Sequence, residues 1–196
     1  MYYNPLMPHI LKETSEGIVK CFVQDEMFKA REVECLGEVT PESVNALILQ
    51  LRYLAREAPG REITMYINSP GGDVSSGLAL YDVMRAIKCP IRTVCVGLAA
   101  SMGALLFSCG DRRDMLPHAR VMIHDPRILS GLGGDALHIE NISRELMKTR
   151  NITGAILAEH TGRDIEEILA HTAADSYFDA REAVAFGLAD RVISEL

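Results

Sequence analysis

The 196-residue chain contains no apolar run of the length a bilayer requires, so no membrane-spanning helix is expected. Its opening, MYYNPLMPHILKE, lacks a basic stretch followed by an apolar core, and a secretory signal is therefore not read there. Cysteine is sparse and odd in number: five residues, at 21, 35, 89, 95 and 109, with no CxxC or Cys/His spacing. Neither a disulfide framework nor a zinc site is expected from that pattern. Cys95 and Cys109 lie in apolar surroundings and read as small core residues in a reducing compartment, which makes the cytoplasm the expected location. Positive charge is also short, with 20 Lys and Arg against 27 Asp and Glu and a net charge of −7. A nucleic-acid backbone is thus not expected as a partner. Repeats, low-complexity tracts and Gly/Pro/Ser linkers that would divide the chain are all missing.

What is present is 48% apolar residues, enough for the core of one compact domain. Residues 1–20 have no clear period and read as an arm or short hairpin, leaving 21–196 as a single domain. Thr40-Pro41 opens a helix as N-cap and first helical residue, and Val44, Leu47, Ile48, Leu51 and Leu54 then form one apolar stripe. Ile63–Ile67 reads as a short strand ending in the turn Asn68-Ser-Pro-Gly-Gly72. A helix follows from about Val74 to Ile87, then a buried strand from Ile91 to Val96. Gly97–Gly103 reads as a glycine-bounded turn into an apolar helix at Ala104–Ser108, and Arg120–His124 as another strand. A long helix reaches His160 and stops at Gly162. Asp164 caps a short helix, Asp179 and Glu182 form a capping box for another that ends at Gly187, and Asp190–Ile193 reads as a last strand. Strands alternating with helices imply an α/β fold with mostly parallel strands.

Four features carry possible chemistry. In Gly97-Leu-Ala-Ala-Ser101-Met-Gly103 a buried strand delivers a serine to the mouth of a helix. A tight turn frees a hydroxyl for attack, and a helix start offers N–H groups for a developing oxyanion; taken alone, Ser101 is more simply an N-cap. Ser69-Pro-Gly-Gly72 allows a backbone to approach a ligand closely, or is a plain turn. His124 ends an apolar strand, where α/β proteins place their sites, or is a satisfied rim histidine. His160 and His171 lie at helix ends, where the dipole accounts for them. Asp175, in Ala-Ala-Asp-Ser-Tyr-Phe, precedes aromatic residues and needs a partner, either His124 or its own loop. Together the four supply nucleophile, base, orienter and oxyanion donors, the inventory for acyl transfer.

These stretches resemble a known family. Tyr66-Ile-Asn-Ser-Pro-Gly-Gly72, Gly97-Leu-Ala-Ala-Ser-Met-Gly-Ala104 and Arg120-Val-Met-Ile-His124 are similar to the signature stretches of ClpP, the proteolytic subunit of the Clp protease. His160-Thr-Gly162 and Glu182-Ala-Val-x-x-Gly-Leu188 extend the likeness over about Leu6 to Val192. The resemblance implies a ClpP/crotonase-type ββα superhelix with a protruding handle helix, the handle spanning about 125–160. It implies two stacked seven-membered rings enclosing a chamber, with the N-terminal arm forming the axial loops. By matched position Ser101 is the nucleophile, His124 the base and Asp175 the third member, with the backbone N–H groups of Gly72 and Met102 as the oxyanion hole. An AAA+ unfoldase such as ClpX, ClpA or ClpC is implied as the partner that spends ATP and delivers unfolded polypeptide, so that no cofactor or metal is expected in this chain.

The chain also departs from the family pattern. Thr64 and Ala86 stand where aromatic residues usually line the unfoldase-docking pocket, while Tyr66 is kept. Ala173 and Ala174 replace a charged pair that helps lock the rings together. The segment after Pro126 is about two residues longer than usual. Asp73 follows the double glycine where a neutral residue is common, Asp125 replaces a glutamine beside the base, and Leu98 replaces another near the serine. These changes suggest a subunit that works in mixed rings with another ClpP, either as a peptidase or as a weakly active structural member. A crotonase-type acyl-CoA enzyme and a phage-type head-maturation protease share parts of the pattern, but the Ser/His/Asp set and the Val-Met-Ile-His stretch favour ClpP.

Overall fold

The computed structural model describes residues 8–15, 17–128 and 133–196. It opens with an antiparallel hairpin, β1 (His9–Thr14) and β2 (Gly17–Phe22), paired from His9↔Phe22 to Thr14↔Gly17. This hairpin crosses the boundary at residue 20 that the sequence suggested for the arm. A seven-residue helix, α1 (Val23–Lys29), leads into the main sheet.

The sheet contains β3 (Glu32–Val39), β4 (Ile63–Gly72), β5 (Ile91–Ala100), β6 (Arg112–Met115) and β9 (Arg191–Val192), neighbours in that order and all parallel. Helices α2 (Pro41–Glu57) and α3 (Val74–Ala86) connect β3 to β4 and β4 to β5. The α2 stripe is buried at Val44, Leu47, Leu51 and Leu54, with Ile48 packed against it. Ile63, Met65 and Ile67 on β4 have no exposed surface. The apolar runs of sequence thus form the centre of the sheet, as burial on both faces of parallel strands requires.

Strand β5 forks the sheet. Its first half, Arg92–Cys95, pairs with β6 (Arg112–Met115), and its second half, Leu98–Ala100, pairs with β7 (Arg120–Ile123). Strand β7 in turn pairs antiparallel with β8 (Ser176–Asp179). Immediately after β5 comes α4 (Met102–Ser108), wholly buried. Helix α5 (Ala136–Thr161) is capped by Asp135 and ends at Gly162; α6 (Ile165–Thr172) and α7 (Ala180–Phe186) follow, the latter with the expected Asp179/Glu182 capping box.

Several expectations need correction. Both β4 and β5 run several residues further than their apolar cores suggest, because the glycine-rich ends pair with neighbours: Gly71 and Gly72 with Glu38 and Val39, and Ala99 with Ser69. Asp164 precedes α6 but makes no side-chain cap hydrogen bond. Strand β6, sequence RRDM, carried no apolar signal. It is held by charge, since buried Asp114 accepts from Arg92 Nε at 2.6 Å and from Arg191 Nε at 2.7 Å, tying β5, β6 and β9 together. The five cysteines are free, and four are buried. Part of the lengthened segment after Pro126, residues 129–132, lies outside the described residues.

Candidate active site

Ser101 occupies the corner between β5 and α4 with φ 55° and ψ −121°, a conformation that side-chain-bearing residues rarely adopt. Its N–H donates to Met122 O at 2.8 Å, which clamps the corner onto β7. Although Ser101 stands at the N-cap position, its side chain makes no capping hydrogen bond. The simple N-cap reading therefore fails. The hydroxyl is left over after the helix has been started, at a residue held in a strained corner.

The glycine turn lies directly against this corner. A Cβ on Gly71 would stand 2.6 Å from Ser101 Cβ and 3.0 Å from Met102 N. At Gly72, φ is +150° and a Cβ would stand 2.3 Å from Val39 O. Only glycine fits either position. Met102 is the first residue of α4, and its N–H has no acceptor within the helix. The two stretches carrying the expected oxyanion donors, Gly72 and Met102, are thus brought side by side. Asp73 does not intrude, because its exposed carboxylate accepts from Ser76 N at 2.8 Å and Ser76 Oγ at 2.6 Å as the cap of α3.

His124 follows β7 and shares one pocket with Ser101. The pocket walls are otherwise almost entirely apolar: Val74 from α3, Met102 and Leu105 from α4, Ile123 and Pro126 beside the base, and Thr153 and Leu157 from α5. Burial lowers the basicity of His124, the Arg127 cation lowers it further, and Asp175 and Asp125 act against both. No hydrogen bond joins Ser101 to His124 among the described residues, and His124 Nδ1 is buried without a hydrogen-bond partner.

Asp175 reaches this place by a route that sequence did not reveal. The β7–β8 register runs from Arg120↔Asp179 to Ile123↔Ser176. His124 and Asp175 are the next residues beyond that last pair, where Asp125 N already donates to Thr172 O, and the Asp175 charge acts on the imidazole. Yet the Asp175 carboxylate accepts from Arg127 Nη2 rather than from the imidazole. The expected His124–Asp175 hydrogen bond is therefore absent, because a nearer cation takes the carboxylate. That ion pair is half exposed, with 48% of the Arg127 side chain and 40% of the Asp175 side chain open to solvent; pairs of this kind contribute at most about 1 kcal/mol.

Two groups of residues were missed from sequence. Thr153 and Leu157 belong to the far end of the long helix and line the pocket only because α5 packs on α4. Arg127 carries no motif signal at all. Asp125, beside the base, pairs with Arg150 Nε of α5 at 2.6 Å, and its N–H donates to Thr172 O at 2.7 Å, so the backbone after His124 is anchored to both α5 and α6. Among the described residues no cluster of His, Cys, Asp and Glu could hold a metal ion, and no helix is long and apolar enough to cross a membrane. A model of the Clp protease family matches residues 15–196, nearly the whole chain.

Proposed function

The chain belongs to the Clp protease family, and from that premise we propose that it is a serine endopeptidase subunit in which Ser101 attacks, His124 serves as base and Asp175 orients His124. The observation that carries this reading is Ser101 itself: a non-glycine residue at positive φ, its hydroxyl unused by the helix it begins, in one pocket with His124, the residue directly after β7. Strain of this kind persists where surrounding structure enforces it, commonly at functional sites.

In the chemistry that follows, His124 accepts the Ser101 proton as Oγ attacks a peptide carbonyl. The tetrahedral oxyanion is received by the backbone N–H groups of Gly72 and Met102, and the protonated imidazole returns the proton to the leaving amine. Water then hydrolyses the acyl-enzyme by the same base. Loss of one oxyanion donor raises the barrier by about 3–4 kcal/mol. Extended polypeptide held beside the site through its main chain would be read by backbone more than by sequence.

The double ring, an AAA+ unfoldase partner that supplies the ATP-driven step, and unfolded protein as substrate follow from the family and belong to this proposal. So does assembly with a second ClpP, for which the aromatic-poor docking positions Thr64 and Ala86 and the uncharged Ala173-Ala174 speak. The decisive experiment is cleavage of a short fluorogenic peptide by the purified protein, alone and mixed with a more typical ClpP, with particle mass measured on the same samples. Ser101→Ala is expected to lower kcat by roughly 10³-fold or more without changing particle mass. Cleavage that survives the substitution in the pure protein would remove Ser101 from the mechanism.

A further inference from the structure

Arg127 follows the base by three residues and has no part in the acyl-transfer scheme, yet it holds the carboxylate that the scheme requires. Its Nη2 donates to Asp175 Oδ1, while His124 Nδ1, in the residue just past the last β7–β8 pair and within the influence of the Asp175 charge, is buried and unpartnered. A buried polar nitrogen without a partner is costly, and nature seldom leaves one beside an available acceptor. The acceptor here is turned elsewhere. The Arg127–Asp175 pair sits half exposed at the rim, whereas the ring nitrogen lies inside, so a carboxylate satisfying the cation is drawn away from the imidazole.

The backbone between these groups has little freedom to settle the matter. Asp125 N donates to Thr172 O at 2.7 Å, Arg150 Nε donates to the Asp125 carboxylate at 2.6 Å, and Arg150 Nη2 donates to Leu169 O at 3.1 Å. With the strap anchored, the side chains of Arg127 and Asp175 are what remain to choose between arrangements.

We propose that Arg127 is a positioning residue that competes with His124 Nδ1 for the Asp175 carboxylate and thereby sets the fraction of subunits whose base is oriented for catalysis. This inference rests on the serine-peptidase reading above. Turnover scales with the competent fraction, and an exposed ion pair is weak enough to be displaced. Removing the guanidinium therefore frees Asp175 for the ring and raises turnover. The charged groups around His124 are Arg127 and Asp125 on its own strap and Asp175 on the loop before β8, with Arg150 of α5 engaged by Asp125. The pocket residues contributed by α3, α4 and α5 carry no charge. Loss of the Arg127 cation and release of the Asp175 carboxylate act in one direction, both stabilising the protonated imidazole.

The test compares wild type, Arg127→Gln, Arg127→Lys and Ser101→Ala as assembled particles of verified mass, cleaving a short fluorogenic peptide across pH. Arg127→Gln is expected to raise kcat about threefold or more, to leave KM within about twofold, and to move the acid limb of kcat to higher pH. Arg127→Lys keeps the cation and is expected to stay near wild type. If the Gln variant does not assemble, Arg127→Met, which keeps the aliphatic stem, takes its place. An unmoved kcat and acid limb in the charge-removing variant, a fall in kcat, or a Lys variant that behaves like the Gln variant overturns the competition. Survival of cleavage in Ser101→Ala instead rejects Ser101 as the nucleophile and with it the serine-peptidase reading, whatever Arg127 does.

Discussion

Ser101 is held at φ 55° by contacts on three sides: its N–H on Met122 O, Gly71 packed against its Cβ, and α4 starting at the next residue. Such a conformation costs of order 1–3 kcal/mol, which the surrounding sheet must supply. Gly72 is the tightest point of this arrangement. Gly72→Ala drives a methyl into Val39 O and displaces the oxyanion donor; kcat on a fluorogenic peptide is expected to fall by roughly 10²-fold or more, with the far-UV circular dichroism spectrum retained. Activity near wild type would mean that Gly72 N–H is not a donor. The base makes a pH prediction of definite sign. Burial first, then the Arg127 cation, hold His124 below the ordinary histidine value of 6.5. Because catalysis needs the neutral ring, kcat/KM in the wild type is expected to persist below pH 6.5 and to fall only as the ring protonates beneath that value. A half-maximal point above 6.5 would contradict the environment described. The strain at Ser101 and the burial of His124 were not visible in the one-letter code, where each residue taken alone had a simpler bland reading.

At the scale of elements, the termini of α2 show how local signals and long-range ones divide the work. Its start is written locally: Thr40 caps, Pro41 leads, and Thr40 and Ser43 exchange hydrogen bonds. Its end is not. The buried Arg31, itself at φ 68°, donates to Leu54 O at 3.0 Å, Arg61 O at 3.1 Å and Glu62 O at 3.1 Å, and pairs with Glu57. One guanidinium fork thus bonds the carbonyls of the α2 exit loop and adds a second donor to Leu54 O, which also accepts from Ala58 N at 3.1 Å. Arg31→Ala is expected to destabilise the protein by about 3 kcal/mol, from orphaned buried acceptors, and to lower the melting temperature by roughly 6–12 °C. Arg31→Lys should recover little, since an ammonium cannot reach several carbonyls in a plane. A melting temperature within about 2 °C of wild type would show that water replaces the fork. The elements missed by sequence reading share this character. Strand β6 is charged and β8 is only four residues long, and each becomes a strand because a neighbour offers a free edge.

For the whole molecule, helix α5 is the part that a single chain explains least. Leu137, Ile139, Met147 and Ile152 are all exposed along it, more apolar surface than a 26-residue helix facing only water would carry. In the proposed double ring this handle packs against its counterpart. Leu137→Glu and Met147→Glu together are expected to halve the particle mass in sedimentation while leaving the circular dichroism of the protomer unchanged. An unaltered mass would take the handle out of the ring–ring contact. In that proposed assembly, where Ala173 and Ala174 offer no charge, apolar contact along α5 would be left to hold the rings together.

The sequence by itself determined the α/β class, the buried central strands, most helix starts and stops and the family, because those are carried by periodicity, by capping chemistry and by runs of residues that act on their immediate neighbours. It also named Ser101, His124 and Asp175 as candidates by resemblance. Only the tertiary structure decided that Ser101 and His124 open into one pocket, that the antiparallel β7–β8 pair brings the segments carrying His124 and Asp175 together, and that Arg127 takes the carboxylate. Those outcomes depend on strand register and on which charge lies nearest in space, and neither quantity exists until the chain has folded.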